Sequence, residues 1–324
     1  MPDEARAFWV TAPGRGEIRG EALRPPAEGE VAIKALYSGI SRGTEALVFA
    51  GRVPPSEWDR MRAPFQQGNF PAPVKYGYSM VGRVERGPDT LTGRVVFVLH
   101  PHQTRFIVPA YAVHLLADDL DPARVVLAAN LETALNGVWD ARPHLGDRIA
   151  VIGAGTVGCL TAWLVSQIPG CDVELVDINP RRATVARALG VRFAEPPAAG
   201  RDADVVIHAS GAPEGLELAL QVAGAEARIV ELSWFGDRVV SLPLGGAFHA
   251  RRLTIASSQV GRIAPAQRPR WDPRRRMQLV LMLLRDPQLD VLITGESEFE
   301  ELPDVMARLA RAPGDTLCHR IRYS

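Results

Sequence analysis

Cysteine is scarce in this sequence of 324 residues, which contains only Cys159, Cys171 and Cys318. The three are far apart and form no Cys-x-x-Cys pair. A disulfide-held fold uses an even, denser set of cysteines in an oxidising compartment, and a zinc lobe of the four-cysteine type needs more cysteines than are present. The cysteine content therefore argues against both and is typical of a protein from a reducing cytoplasm.

Net charge and long hydrophobic runs are also missing. Lys plus Arg and Asp plus Glu both number 37, so no overall charge attracts nucleic acid or an anionic membrane. Apolar stretches such as Val157–Ile168 are too short to span a bilayer, and the charged start Met1–Arg6 lacks the pattern of a signal peptide. The sequence predicts a cytoplasmic globular protein that contacts neither nucleic acid nor membrane.

The first third of the chain has the pattern of a β-rich domain. Stretches rich in β-branched and aromatic residues, separated by glycine and proline, predict strands at Ala5–Thr11, Glu30–Tyr37, Val81–Glu85, Arg94–Leu99 and Thr104–Val108. A long polar, proline-rich segment, Arg52–Lys75, lies among them. Such a segment is typical of a lid or binding loop, and the alternative is a surface loop without a role.

From Arg148 onward, strand-like and helix-like patterns alternate. The predicted strands are Arg148–Ile152, Asp172–Asp177, Ala203–Ala209, Arg228–Leu232 and Leu253–Ser257, and the predicted helices are Val157–Ile168, Pro180–Leu189 and Pro213–Val222. This alternation predicts an α/β fold with a mostly parallel, doubly wound sheet.

The pattern changes again after Gly261. Arg262–Arg276 is predicted as an arginine-rich loop, followed by short helices at Met277–Leu284 and Leu302–Ala310 and a final strand at Cys318–Tyr323. This tail is too short and too irregular for a domain of its own, so we expect it to return to the first domain. The predicted divisions are 1–125, 126–261 and 262–324.

A glycine-rich turn, Gly153–Gly158, joins a predicted strand to a predicted helix. Its GxGxxG spacing permits a tight turn, a close approach of the backbone to a pyrophosphate, and a helix N-terminus that faces the phosphates. Asp177 ends the next strand, where a carboxylate binds ribose hydroxyls and repels a 2′-phosphate. These residues predict NAD, while Arg181 and Arg182 leave NADP open because an arginine accommodates a phosphate.

The order of a β-rich domain, a Rossmann domain and a short return is similar to the medium-chain dehydrogenase/reductase superfamily, whose catalytic domain is GroES-like. The resemblance covers nearly the whole chain and is carried by Pro26–Val31, Ser38–Glu45, Lys75–Val84, Arg148–Gly158, Val176–Arg182, Val205–Gly211 and Leu292–Tyr323. Ser38–Glu45 resembles the branch that contains bacteriochlorophyllide dehydrogenases, which oxidise a hydroxyethyl substituent on a tetrapyrrole.

The resemblance implies hydride transfer between a nicotinamide and an organic alcohol or carbonyl compound, and it implies a homodimer. It also implies cofactor contacts from Gly153, Gly155, Thr156, Val157, Gly158, Asp177, Arg182, Ser210 and Gly211.

The chain departs from the superfamily at the catalytic zinc ligands. Ser41 stands at the position of the cysteine ligand, and Gly77–Ser79 stands where Gly-His-Glu would be. Glu132 matches the third ligand. Serine and tyrosine are poor zinc ligands, so we expect no catalytic zinc, and the absent cysteines also predict no structural zinc. His100 and His102 form the one close histidine pair and are more typical of ordinary residues than of a metal site.

Without zinc, side chains must stabilise the developing alkoxide and exchange its proton. The candidates at the matched positions are Ser41, Thr44, Glu45, Tyr78 and Glu132. Each has a structural alternative: Glu45 can cap a helix that starts at Ala46, and Tyr78 can be a core residue.

The substrate is a small molecule whose character the sequence leaves open. Arginines of the 262–276 loop can bind an anionic group, or they can be a solvated or interface face. Trp58, Phe65 and Phe70 can line an aromatic wall. A zinc-independent enone, quinone or enoyl reductase and a non-catalytic NAD(H)-binding protein remain alternative functions.

Overall fold

The computed structural model describes residues 3–324, which form two compact units. The first unit contains the chain up to Ala129 together with Leu281–Asp286 and Ile293–Ser324. The second contains Asn130–Val280 and Pro287–Leu292. Met1 and Pro2, part of the charged N-terminal stretch, lie outside the described residues. The domain borders after residues 125 and 261 stay predictions.

The strands and helices account for most of both units. The strands are β1 Asp3–Ala12, β2 Arg15–Leu23, β3 Glu30–Ile40, β4 Gln67–Gly68, β5 Val74–Lys75, β6 Met80–Arg86, β7 Val95–Val98, β8 Arg105–Pro109, β9 His114–Leu115, β10 Arg148–Ile152, β11 Asp172–Val176, β12 Arg192–Ala194, β13 Ala203–His208, β14 Ala223–Glu231, β15 Thr254–Ser257, β16 Ile293–Glu298 and β17 Cys318–Arg322. The helices are α1 Arg42–Phe49, α2 Ala128–Ala141, α3 Thr156–Ser166, α4 Arg182–Ala188, α5 Pro213–Val222, α6 Ala247–Ala250, α7 Pro273–Leu283 and α8 Leu302–Arg311. Among the described residues, none of these helices is long and apolar enough to cross a membrane.

The first unit consists mainly of antiparallel sheet. Strands β2-β1-β5-β4 form one sheet, and β16-β17-β3-β6-β7-β9 form the second, with β8 also paired to β3. The last strand, β17, pairs antiparallel with β3 from the start of the chain. Strand β3 is buried over consecutive residues at Val31–Ile33 and Ser38–Ile40, so both of its faces are covered there.

The second unit is a six-stranded sheet of order β12-β11-β10-β13-β14-β15, in which every pairing is parallel. Its central strands β10 and β13 are mainly apolar and buried, as expected where helices cover a parallel sheet on both faces. The order reverses beside β10, whose carboxyl end leads directly into Gly153–Gly158. The predicted fold class, a β-rich domain with a doubly wound parallel-sheet domain, is confirmed.

Several local predictions were incomplete or wrong, and β4, β5, β9, β12, β16 and α6 were not predicted. Strand β2 and helix α2 were not predicted, because β2 is rich in charged residues and α2 is interrupted by polar ones. Helix α1 begins at Arg42 rather than Ala46, so Glu45 lies inside its first turn. The predicted arginine-rich loop ends early, because α7 begins at Pro273, and proline is well suited to the first turn of a helix.

Candidate functional site

The loop before β6 fixes the position of Tyr78 in the first unit. Gly77 has φ +138°, a conformation that favours glycine, and a Cβ there would lie 3.0 Å from Cδ2 of His102. On the other side, the Ser79 hydroxyl donates to the carbonyl of Val126 over 2.7 Å. Tyr78 therefore lies between two residues whose positions are fixed, Gly77 by its backbone conformation and Ser79 by its hydrogen bond.

Four of the five predicted catalytic residues meet around the start of α1. Ser41 precedes the helix, and its backbone N–H donates to Glu45 Oε1 over 2.8 Å. The side chains of Ser41 and Thr44 make hydrogen bonds to the Tyr78 hydroxyl that lower the pKa of this phenol. Burial, followed by the charge of Glu45, outweighs them and raises the Tyr78 pKa well above its ordinary value. Tyr78 is therefore a protonated donor at neutral pH.

A buried network holds Glu45 from its other side. His102 Nε2 lies 2.8 Å from Glu45 Oε2, and His102 Nδ1 lies 2.7 Å from the Ser38 hydroxyl. The same hydroxyl is 2.9 Å from the Tyr323 hydroxyl. Because an ionised carboxylate only accepts, His102 donates from Nε2 to Glu45 and accepts at Nδ1 from Ser38. Sequence reasoning missed Ser38 and Tyr323 and weighed His102 only as a metal ligand.

The donors in this cluster do not fit a catalytic zinc ion. Ser41 offers a hydroxyl, Tyr78 offers a phenol whose raised pKa disfavours the anionic form, and the Glu45 carboxylate already accepts two hydrogen bonds. Zinc sites in proteins use thiolate, imidazole and carboxylate ligands. Over residues 3–324, no group of three or more His, Cys, Asp or Glu side chains is arranged to hold a metal ion.

Glu132 and His100 do not join this cluster. Glu132 lies on α2 in the second unit, where Nε of the buried Arg276 donates to its Oε1 over 3.0 Å. Burial raises the Glu132 pKa, and the Arg276 charge opposes that shift. His100 stacks on Phe106 at 3.9 Å between ring centroids, and burial lowers its pKa to about 3. Both side chains therefore have structural partners of their own.

The glycine-rich turn in the second unit has the shape that a pyrophosphate requires. A Cβ on Gly158 would overlap the carbonyl oxygen of Gly153, so helix α3 can approach β10 this closely only with glycine there. A Cβ on Gly155 would meet no atom within 4 Å, which leaves open space above the turn. Gly155, Thr156 and Val157 are partly exposed at the helix N-terminus. The turn therefore fits a dinucleotide.

Asp177 lies at the end of β11, held by the turn itself. Its Oδ2 accepts from the Ala154 N–H over 2.6 Å, and its Oδ1 accepts from the Asn179 N–H over 2.8 Å. Each carboxylate oxygen keeps a further lone pair for a ribose hydroxyl. Arg182 is buried, and its charge acts on Cys159 of α3, whereas Arg181 is exposed.

Ser210 and Gly211, the last two predicted cofactor residues, follow β13 beside the turn. A Cβ on Gly153 would lie 2.6 Å from the backbone nitrogen of Ser210. The Gly211 N–H donates to the Ser233 hydroxyl over 3.0 Å. The Ser210 hydroxyl is bonded to His208, a residue that sequence reasoning missed. The available signal was the position of His208 at the carboxyl end of a parallel strand, the edge at which such sheets bind ligands.

The arginine-rich segment divides into two parts. Arg262 and Arg268 line a cavity of about 250 Å³ in the second unit, together with Arg142, Arg228 and Asp140. In contrast, Arg276 is buried and forms an ion pair with Glu132. This corrects the prediction that Arg276 lies in a loop. The segment therefore contains both a cationic cavity and a structural ion pair.

The aromatic residues of the long polar segment have different environments. Phe70 is buried against Tyr76, and the Trp58 indole donates to the Val53 carbonyl. Phe65 is partly exposed and lies 5.7 Å from His100 between ring centroids. Of these three side chains, Phe65 is the most exposed to solvent.

Sequence relatives of the chain are dehydrogenases. It is 30% identical over 213 residues to 2-desacetyl-2-hydroxyethyl bacteriochlorophyllide A dehydrogenase of Rhodobacter capsulatus, a match that covers 59% of this chain and 61% of the relative. It is 23% identical over 314 residues to D-guloside 3-dehydrogenase of Escherichia coli, covering 88% of this chain and 87% of the relative. The chain thus spans about three fifths of the first relative and most of the second. No family model matches it.

Solved structures share the fold over the whole chain. A Sinorhizobium meliloti protein assigned as a zinc-binding dehydrogenase and bound to NADP superposes with a TM-score of 0.79, at 19% identity, over 99% of both chains. L-idonate 5-dehydrogenase of Escherichia coli superposes with a TM-score of 0.81, at 14% identity, again over 99% of both chains. A short chain alcohol dehydrogenase of Escherichia coli complexed with NADH has a TM-score of 0.78 at 16% identity, over 98% of this chain and 99% of that chain.

Proposed function

We propose that this chain is a member of the medium-chain dehydrogenase/reductase superfamily of oxidoreductases and that it transfers a hydride between NAD(H) and an organic alcohol or carbonyl compound without catalytic zinc. The strongest support is the hydrogen-bonded cluster of Ser41, Thr44 and Tyr78, which stands where the superfamily has zinc ligands. In ketone reduction a phenol can polarise the carbonyl group and supply the proton, and in alcohol oxidation the phenolate can accept the proton that the alcohol loses.

Tyr78 is the acid of the reaction in the reducing direction. Its raised pKa keeps the phenol protonated at neutral pH, so it can donate a hydrogen bond to the substrate carbonyl. As hydride arrives at the carbonyl carbon, the oxygen becomes an alkoxide and takes the Tyr78 proton. The hydroxyls of Ser41 and Thr44 then stabilise the phenolate, because both bond to its oxygen.

Glu45 acts through its neighbours rather than on the substrate. One carboxylate oxygen holds the backbone of Ser41, and the other is held by His102. The carboxylate also raises the Tyr78 pKa by its charge. Glu45 is therefore a positioning residue that keeps the phenol protonated and its hydroxyl partner in place.

Gly153–Gly158 would hold the cofactor, whose nicotinamide would supply or accept the hydride when bound. Thr156 and Val157 offer backbone N–H groups at the start of α3, where the helix dipole favours phosphate. The Asp177 carboxylate favours NAD over NADP because a 2′-phosphate would meet its negative charge. We propose NAD(H) as the cofactor on this ground.

We base our proposals for the substrate, the assembly and the location on the relatives and on the composition. The named relatives oxidise a bacteriochlorophyllide and a guloside, so we propose a small-molecule alcohol or ketone as the substrate. We propose a homodimer, in keeping with the superfamily, and a cytoplasmic location, in keeping with the three unpaired cysteines.

A substrate panel tests the reaction. Purified protein is supplied with NADH and ketones, with NAD and the matching alcohols, and with NADH and enones or quinones, while NADH absorbance is followed. We expect turnover of ketones and alcohols. Consumption of enones and quinones alone would establish a zinc-independent reductase instead. Tight NADH binding without turnover of any compound would leave only a non-catalytic binding protein.

Metal analysis tests the zinc-free mechanism separately. We expect far less than one zinc per chain and full activity after dialysis against a chelator. Stoichiometric zinc, lost on dialysis together with activity and restored by adding zinc, would overturn the role given to Tyr78.

A further inference from the structure

The second unit contains a serine, a histidine and a carboxylate in a hydrogen-bonded row. His208 ends β13 and Glu231 ends β14, so the parallel pairing of these strands sets the two side chains next to each other. His208 Nδ1 lies 2.7 Å from Glu231 Oε2, and His208 Nε2 lies 2.5 Å from the Ser210 hydroxyl. Ser210 is also a predicted cofactor contact, but the proton and hydride steps proposed above use none of these three side chains.

The row fixes which ring nitrogen of His208 carries the proton. Glu231 Oε1 accepts from the Ser233 N–H over 2.6 Å, and Oε2 faces Nδ1. Because an ionised carboxylate only accepts, Nδ1 of the neutral imidazole carries the proton and Nε2 presents its lone pair to Ser210. The Ser210 hydroxyl then donates to Nε2 over 2.5 Å in preference to the Ala212 carbonyl, which lies 3.4 Å away. This is the arrangement of a nucleophile with its general base and orienting carboxylate.

The three side chains differ in how far they are exposed to solvent. His208 is completely buried, and the Glu231 side chain is 13% exposed, whereas Ser210 is exposed. Phe235 stacks over the His208 ring. Ser210 is therefore open to a reactant from outside, while the imidazole is shielded from water and the carboxylate is mostly buried.

The backbone around Ser210 favours negative charge on its oxygen. The Ala212 N–H donates to Ser210 Oγ over 3.1 Å, and Ala212 is the N-cap residue of the ten-residue helix α5. The positive end of the helix dipole lies at this residue. One lone pair of Oγ accepts from Ala212, and the second is free to attack an electrophile.

Gly215 provides the room for this arrangement. A Cβ at this position would overlap Ser210 Oγ and would lie 2.7 Å from His208 Nε2. Gly215 lies in the first turn of α5 with an ordinary helical conformation, so alanine there is allowed by the backbone but not by the serine–histidine pair. The site thus depends on a residue that takes no part in the chemistry.

We propose that Ser210 is an acyl-accepting nucleophile, with His208 as general base and Glu231 as positioning residue, and that its substrates are small activated carboxylic esters. Ser210 Oγ forms a bond to the carbonyl carbon while its proton moves to His208 Nε2. The bond to the leaving oxygen then breaks with its electron pair, and the leaving group takes the proton from His208. Water repeats the same steps on the acyl-serine, releases the carboxylic acid and restores Ser210.

The first experiment treats the purified full-length protein with p-nitrophenyl acetate and, separately, with a fluorophosphonate probe. We expect release of p-nitrophenolate and one covalent adduct per chain, which peptide mass spectrometry places on Ser210. Ser210→Ala should abolish the adduct. Ser233→Ala is the matched control, because its hydroxyl also faces His208, 3.4 Å from Nδ1, without bonding to Nε2. It should keep the adduct.

The second experiment tests the base and the carboxylate. His208→Gln should slow acylation ~10²–10⁴-fold, the usual contribution of a general base. Glu231→Gln should shift the pH of half-maximal acylation downwards, since the carboxylate stabilises the protonated imidazole. Gly215→Ala should also suppress the adduct while the thermal unfolding midpoint stays close to that of the parent protein. No adduct, an adduct on another residue, or an adduct that survives in Ser210→Ala would overturn the proposal.

Discussion

The two units each contain a serine, a histidine and a glutamate joined by hydrogen bonds, but the two rows face different surroundings. In the first unit, Ser38 is fully buried and bonds onward to Tyr323. In the second unit, Ser210 is exposed at the end of a strand. The same three residue types thus form a closed structural network in one unit and an open row in the other.

The imidazole orientation differs as well. His102 donates from Nε2 to Glu45 and accepts at Nδ1, whereas His208 donates from Nδ1 to Glu231 and accepts at Nε2. In both cases the carboxylate selects the tautomer because it can only accept. We infer that the solvent access of the serine, rather than the three residue types, decides whether such a row can be reactive.

The largest expected effect concerns Tyr78, a partly exposed phenol whose partner Ser41 is held by Glu45 of the closed row. Tyr78→Phe removes the acid and should lower kcat for ketone reduction ~10²–10⁴-fold, with a smaller change in KM. The matched control is Tyr323→Phe, which removes the phenol at the buried end of the same network. It should leave kcat within a small factor and reduce stability by about 1 kcal/mol. Equal losses of kcat in both variants would show that the whole row carries the proton.

The two histidines provide a second contrast, in stability. His102→Leu leaves Glu45 buried without its imidazole, and we expect a loss of about 3 kcal/mol in the free energy of unfolding. His208→Leu should cost about 1 kcal/mol, because Glu231 keeps the Ser233 N–H and some access to water. Urea denaturation followed by tryptophan fluorescence measures both.

Acylation of Ser210 should be affected in the opposite order by the same two substitutions. His102→Leu should keep the Ser210 adduct, and His208→Leu should lose it. A His208 variant that unfolds as easily as the His102 variant would mean that both rows are structural.

The sequence allowed the fold and the dinucleotide turn to be predicted because their signals are local. Strands of the parallel sheet are short apolar runs, and Gly153–Gly158 lies between one such run and a helix, so spacing alone suffices. The fold class is confirmed, and the sequence relatives are dehydrogenases. The gathering of Ser41, Thr44, Glu45 and Tyr78 was expected from the resemblance, since each stands at a position near the superfamily's zinc ligands.

The partners of these residues could not be predicted because they come from distant parts of the chain. His102 reaches Glu45 from 57 residues away, and Tyr323 reaches Ser38 from 285 residues away. Arg276 pairs with Glu132 across 144 residues, and only the early start of α7 brings it there. Such contacts depend on packing between sheets and helices, for which a single sequence offers no periodic signal.

The smallest expected effect compares how each glutamate acts on its neighbour. The Glu45 charge raises the Tyr78 pKa, so Glu45→Gln should lower that pKa. Reduction needs the protonated phenol. In the parent protein its rate should therefore stay level as pH rises and fall only above the ordinary phenol pKa of 10.0, while alcohol oxidation, which needs the phenolate, should keep rising.

In Glu45→Gln, the fall in the reduction rate and the rise in the oxidation rate should both move to lower pH, as should the phenolate absorbance. Glu231→Gln is the control, because its charge belongs to the row in the second unit and should leave these profiles in place. An inflection of the parent reduction profile between about pH 4 and 7, the range of carboxylates and imidazoles, would assign the proton to Glu45 or His102. In that case the closed row would be catalytic, and solvent access would no longer separate the two units.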